Sequence, residues 1–217
     1  MPDHYKTDLL DLRRMDCMDL MREFPDKHFD LAIVDPPYGI GVGDNKSGMG
    51  RRKGDAVATY KMGDWDLSPP SREYFDEVRR VSDDQIIWGA NHFIEMMPLN
   101  SPCWLVWDKM FSNEVSFAAV ELAWTSFQVT AKKFEHHPMK NGRIHPTQKP
   151  VKLYAWLLSK FAKPGMTILD THLGSGSIAI ACHYFGAHLT GSELDQDYFN
   201  AMCERIQRET RQTTLEL

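Results

Sequence analysis

A chain of 217 residues, 42% hydrophobic and 25% charged, is long enough to bury one substantial core, so a single domain over residues 1–217 is expected. Its formal net charge of −5 argues against a protein that coats nucleic acid without selectivity, because neutralising phosphates draws on clustered Lys and Arg. No stretch approaches the roughly 18 uninterrupted apolar residues of a membrane span, and Cys17, Cys103, Cys182 and Cys203 stand far apart with no CxxC pair, so a membrane setting, a disulfide framework and a metal site are disfavoured and a cytoplasmic location is expected.

In chain order, FDLAIV at residues 29–34 is a short apolar run with β-branched members, stopped by Asp35 and a Pro-Pro pair, which predicts a buried strand. The stretch 39–64 carries seven glycines with scattered charge, including Arg51, Arg52 and Lys53, and is expected to be a mobile loop able to contact DNA. SREYFDEVRRV at 71–81 spaces Tyr74, Phe75, Val78 and Val81 as one helical face, and QIIWG at 85–89 reads as the next strand. CWLVW at 103–107 and AVELAW at 119–124 are further strands, with 127–134 a weaker one.

Residues 125–144 form a short basic segment, and Lys132, Lys133, Lys140 and Arg143 in it are candidate nucleic-acid contacts. VKLYAWLLSKF at 151–161 reads as an amphipathic helix. MTILD at 166–170, a Gly174-Ser175-Gly176 turn, an apolar helix over 177–185, HLTGSE at 188–193 and a helix over 195–208 then make a βαβ unit closed by Glu193. This alternation predicts an α/β sandwich with a mainly parallel sheet.

Two groups of residues carry chemistry. In Asp170-Thr171-His172-Leu173-Gly174-Ser175-Gly176-Ser177 the glycines let backbone approach a ligand at a helix start, and Glu193 can accept ribose hydroxyls. Gly174, Gly176 and Ala179 also satisfy the dinucleotide pattern, so this half leaves S-adenosylmethionine (SAM) and NAD both open, and with NAD an oxidoreductase. Asp170 at the loop favours SAM, which bears no phosphate and whose methionine amino group the carboxylate could meet.

The second group is Asp35-Pro36-Pro37-Tyr38. An exocyclic base amine is a poor nucleophile, because its lone pair is delocalised into the ring. The Asp35 carboxylate and Pro36 carbonyl can take the two N–H hydrogens and orient that lone pair. Prolines keep the turn rigid, and Tyr38 supplies a flat face for a base flipped out of a duplex.

With these residues on the page, the chain resembles the beta-group amino DNA methyltransferases, in which the catalytic motif precedes the SAM motif. The likeness rests on MDCMDLMREFPDKHFDLAIV at 15–34, DPPY at 35–38, HPTQKP at 145–150, ILDTHLGSGS at 168–177 and GSELD at 191–195. It implies a circularly permuted Rossmann-like methyltransferase fold, a three-layer α/β/α sandwich on a seven-stranded, mostly parallel sheet whose last strand is antiparallel. The resemblance places Asp16 and Cys17 near the SAM adenine and Asp35 and Asp170 to Ser177 near its methionine portion. Glu193 and Leu194 fall at the ribose, with His145, Thr147 and Lys149 closing the pocket.

It also implies methylation of adenine N6 in double-stranded DNA, with cytosine N4 the alternative and a homodimer possible. A non-catalytic nucleic-acid binder of the same fold is a further alternative, disfavoured by the intact motif. Whether the setting is a restriction–modification system, a phage or an orphan enzyme stays open. Two departures stand out. Thr171 and His172 replace the Pro and Phe usual in the family, which raises the expectation of pH-dependent cofactor binding around the ordinary histidine value near 6.5. About twenty residues separate Trp124 from His145, too few for a recognition domain, so a short or relaxed target is expected.

Overall fold

A computed structural model describes residues 3–41, 66–98, 100–111, 118–138 and 142–211. The expected loop beyond Gly41, with Arg51, Arg52 and Lys53, and the candidate contact Lys140 lie outside the described residues.

Among the described residues nine strands form one sheet: β1 (His4–Lys6), β2 (Leu10–Arg13), β3 (Phe29–Val34), β4 (Ser82–Trp88), β5 (Trp104–Asp108), β6 (Val120–Thr125), β7 (Lys132–Glu135), β8 (Thr167–Asp170) and β9 (His188–Ser192). Their spatial order is β1-β2-β9-β8-β3-β4-β6-β5-β7. The helices are α1 (Cys17–Arg22), α2 (Arg72–Val81), α3 (Val151–Phe161), α4 (Ser177–Phe185) and α5 (Gln196–Thr210).

The sheet is mostly parallel, but it has nine strands where seven were expected, and its antiparallel members are β1 and β6 rather than a last strand. The two unforeseen strands lie at the amino end. In β2 only Leu10 and Leu12 turn to the core, alternating with Asp11 and Arg13, a pattern too short and too charged to stand out. The weaker strand expected within the basic segment 125–144 is present. Residues 132–135 are β7, paired in parallel with β5 at the sheet edge.

The core is split by the sheet. In β3, Leu31 and Ile33 point to one face while Ala32 and Val34 point to the other. A strand buried on both sides must be apolar throughout, which is why FDLAIV reads as a continuous run. The first face is covered by α3, α4 and α5 through residues such as Leu157, Ile178 and Phe199, the second by α1 and α2 through Leu20, Tyr74, Phe75 and Val78. These are the three layers of an α/β/α sandwich.

From the centre of the sheet the chain winds outward in opposite senses. β3 is followed by α2 and its neighbour β4, whereas β8 is followed by α4 and its neighbour β9. The adjacent parallel strands β3 and β8 therefore flank the switch point, and in doubly wound sheets ligands bind beyond the carboxyl ends of strands at that crevice. Asp35 follows β3 and Asp170 ends β8. The topology alone places the two sequence-predicted groups side by side.

Candidate active site

Beyond β3 the backbone turns through Pro36 and Pro37 to Tyr38, and both Asp35 oxygens are engaged. The Tyr38 hydroxyl donates to Oδ1 at 2.7 Å, and Lys149 Nζ lies 2.5 Å from Oδ2. The turn is pinned from below by buried Asp66, whose Oδ1 accepts the backbone N–H groups of Tyr38 (2.7 Å) and Gly39 (2.9 Å).

The Tyr38 ring lies on Gly89, at the end of β4, and stacks on His92 with ring centroids 5.1 Å apart and planes at 16°. The face expected to receive a base thus has a histidine neighbour. Gly89 is required twice over, since its φ is +70° and a Cβ there would sit 2.1 Å from Tyr38 Cε1. Gly89→Ala is expected to displace Tyr38 and destabilise the fold by about 1–3 kcal/mol, read as a lower melting temperature accompanied by lost methyl transfer. A variant that melts and turns over as the parent does would show that the ring's seat on Gly89 is unimportant.

Lys149 is buried, its side chain 3% exposed, and reaches three oxygens: Asp35 Oδ2, Glu121 Oε2 at 3.1 Å and the Tyr38 hydroxyl at 3.2 Å. Glu121, on β6, is held at its other oxygen by Lys109 Nζ at 2.6 Å. Burial raises the Asp35 carboxyl, Lys149 pulls it down and Glu121 pushes it up again, leaving it above its usual range. Burial would discharge Lys149, but Asp35 and Glu121 outweigh it and keep the ammonium charged. Burial would likewise raise Glu121, yet Lys149 and Lys109 overcome that and bring it to about 2. Lys149, expected to close the cofactor pocket, thus lies against Asp35 and Glu121.

Across the switch point, buried Asp170 accepts the His172 backbone N–H at 3.0 Å. Burial raises its carboxyl to about 7, the His172 N–H opposes this, and the Asp35 and Glu193 charges reinforce it. Gly174 and Gly176 both have positive φ, and a Cβ on Gly176 would meet Met202 Cγ of α5 at 2.5 Å, so helix and loop touch through the missing side chain. Arg205, also on α5, donates to the Ser175 carbonyl and the Ser177 hydroxyl, both at 2.9 Å, and braces the loop from behind.

Glu193 accepts the Gly174 N–H and the Asp195 N–H, each at 2.9 Å, which turns its carboxylate toward the loop. Leu194 beside it is exposed. The His145 ring lies over Gly174 and packs on Tyr198 with centroids 4.4 Å apart, while Thr147 Oγ1 is 3.0 Å from its Nδ1. Asp16 caps α1, accepting the Met18 N–H at 2.7 Å, and Cys17 and Met18 line a cavity of about 360 Å³ together with Pro37, Ser71, Tyr74 and His172. Burial pushes the Cys17 thiol up to about 12, so it offers a surface rather than a nucleophile.

Thr171 and His172, the two departures from the family pattern, are held by hydrogen bonds. The Tyr74 hydroxyl, Thr171 Oγ1 (2.6 Å) and His172 Nδ1 (2.9 Å) form a hydrogen-bonded chain, and burial lowers the imidazole to about 4. Burial opposes the charged imidazole, which argues against a histidine titration near 6.5 there. Thr171→Val would strand the buried Tyr74 hydroxyl, so a loss of about 1–3 kcal/mol in unfolding free energy is expected by denaturant titration. A stability equal to the parent's would mean that this chain contributes nothing.

Of the predicted nucleic-acid residues, Lys133 is spoken for by Asp108 (2.9 Å) and Glu135 (2.7 Å), and Lys132 sits on the same edge strand. Arg143 lies next to HPTQKP and donates to the Pro146 carbonyl at 3.4 Å. Sequence reasoning missed Glu121, Lys109, Asp66, His92 and Tyr74. The one local sign was an acid inside the apolar run AVELAW.

Comparison with known proteins agrees with this geometry. The N6/N4 methyltransferase family model, described as DNA methylase, matches residues 87–204, more than half of the chain. The putative methylase YubD of Escherichia coli (strain K12) is 27% identical over 214 residues, covering 88% of this chain and 87% of that protein. In fold, the PvuII cytosine-N4-specific DNA methyltransferase superposes with a TM-score of 0.63 at 11% identity, covering 95% of this chain and 93% of that one. The M1.HpyAVI–SAM complex does so at 0.58 and 16% identity, covering 91% and 99%. The oxidoreductase alternative is thereby set aside: the chain belongs to the N6/N4 DNA methylase family.

Proposed function

We propose that the chain transfers a methyl group from SAM to the exocyclic N6 amine of adenine in double-stranded DNA, with the base flipped out to meet Asp35. The observation that carries this reading is the pairing of two carboxylates at the switch point, Asp35 beyond β3 and Asp170 at the end of β8. Bound SAM supplies an electrophilic methyl on a sulfonium centre.

The residues present fit that cofactor. The cavity of about 360 Å³ lies within the about 300–1,000 Å³ usual for small-molecule sites. Asp170 is a buried carboxylate whose neighbours include other acids, which suits an ammonium partner. Glu193 presents a carboxylate against the Gly174 backbone, able to accept ribose hydroxyls, and Gly174 and Gly176 keep the loop clear of side chains. No phosphate needs holding, and none of these groups is a cation.

On the base side, Asp35 and the Pro36 carbonyl accept the two amine hydrogens, which leaves the nitrogen lone pair directed away from them and out of conjugation. Tyr38, already stacked on His92, is the aromatic surface offered to the base, and stacking of this kind is worth about 1–3 kcal/mol per base. Arg143, beside HPTQKP, is a candidate phosphate contact.

Incubation of the full chain with methyl-labelled SAM and unmethylated genomic DNA, followed by nucleoside analysis, tests the reading. Label in N6-methyladenine is expected. Label in N4-methylcytosine would keep the chemistry but change the base, and label absent from DNA would overturn the assignment.

A further inference from the structure

Four charges alternate through the buried site in the order Asp35, Lys149, Glu121, Lys109, with successive separations of 2.5, 3.1 and 2.6 Å. They come from four places in the fold: the end of β3, the turn before α3, the start of β6 and the residue after β5. We propose that Lys149 and Glu121 are positioning residues for methyl transfer, Lys149 holding the Asp35 carboxylate charged and aimed while Glu121, anchored by Lys109, holds Lys149. This rests on the methyltransferase reading above.

The argument begins with direction. A carboxylate that must accept amine hydrogens along fixed lines cannot be free to rotate. Asp35 has a different donor on each oxygen, the Tyr38 hydroxyl on Oδ1 and Lys149 on Oδ2, so its plane is set while each oxygen keeps a lone pair to offer. Lys149 in turn also touches the Tyr38 hydroxyl, so one ammonium fixes both the acceptor and the ring.

Charge is the second part. A lone buried Lys–Asp contact can relax to its neutral form, because desolvation penalises both ions. Glu121 supplies a second anion that keeps the lysine charged, and Lys109 balances Glu121, so the four groups carry no net charge. The groups that face Asp35 from each packed element are Tyr38, Lys149, Glu121 on β6, Asp170 on β8, Tyr154 on α3 and Tyr74 on α2. Of these Lys149 is the cation. Without it, the acids that remain would favour a protonated Asp35, a group that donates where it must accept.

The test is a set of pH–rate profiles between pH 5 and 9 for the full chain with labelled SAM and unmethylated DNA, beside calorimetric titration of SAM into each protein. Lys149→Met is expected to lower kcat by about a hundredfold and move the acid limb of the profile upward by a pH unit or more. Its KM for DNA and its SAM affinity should stay within about threefold of the parent's, as a positioning role requires. Adding Glu121→Gln to that variant removes the facing anion and should bring the limb back down.

An acid limb that Lys149→Met leaves in place, whatever its kcat, would make Lys149 a strut between α3 and the sheet and overturn the proposal. So would a double variant with the limb of the single one. If Lys149→Met does not fold, Glu121→Gln alone decides: with Lys149 no longer held, kcat is expected to fall by about tenfold or more while SAM affinity stays within about threefold, and an unchanged kcat overturns the proposal. A parent chain with no transfer to DNA at any pH would instead overturn the assigned reaction.

Discussion

Asp35→Ala is expected to lower single-turnover methyl transfer by a factor on the order of 10²–10³ or more while SAM binding stays within about threefold. The substitution removes an acceptor that meets the amine as its hydrogens acquire positive character, so the loss belongs in kcat rather than in cofactor affinity. The fold should survive, because Lys149 keeps Glu121 at 3.1 Å and is not left as an unpaired buried ammonium. Asp35→Asn sharpens the experiment. It preserves size and can accept one hydrogen bond but removes the charge that Lys149 complements, and should fall between the parent and the alanine variant. Transfer by Asp35→Ala within tenfold of the parent would mean that the amine is held elsewhere.

The core of that expectation was legible in the chain itself. FDLAIV can be buried on both faces because no charge interrupts Leu31 to Val34, and the prolines after it can only end the strand, so Asp35 had to lie at a carboxyl edge. The helices over 151–161 and 177–185 were equally plain, since their apolar faces repeat at helical spacing without a breaker. What the chain conceals is anything decided by strand order. β2 hides because half of its four residues are charged and partly exposed. The antiparallel insertion of β6 between β4 and β5 hides because no local pattern states a neighbour, yet this insertion is what brings Glu121 to Lys149. HPTQKP was read as one cofactor flap. In the fold it straddles the switch point, with His145 over Gly174 on one side and Lys149 on Asp35 on the other. Reading the motif as contiguous could not reveal that its two ends serve different groups.

Asp170 carries the other large effect, a proton linkage to cofactor binding whose sign is fixed by burial. In the folded chain its carboxyl stands at about 7 against an ordinary 3.8. A carboxyl raised on folding favours the folded state below the ordinary value, and that contribution is lost as pH rises through 7, so ionised Asp170 strains the cofactor-free protein. An ammonium placed beside it reverses the balance by favouring the carboxylate. Above pH 7 SAM meets an already charged partner; below it, binding must expel a proton. Affinity is therefore expected to fall by up to about tenfold per pH unit between pH 7 and 5. Calorimetry at pH 6 in buffers of different ionisation enthalpy should show proton release approaching one per SAM, and the melting temperature should gain more from SAM at pH 8 than at pH 5.5. Asp170→Asn should flatten the dependence and bind more weakly at pH 8. His172 and His145, both held near 4 by burial, do not titrate in this window and leave the signal to the carboxyl. A flat affinity from pH 5 to 8 in the parent chain would show that the cofactor's cation does not sit at Asp170.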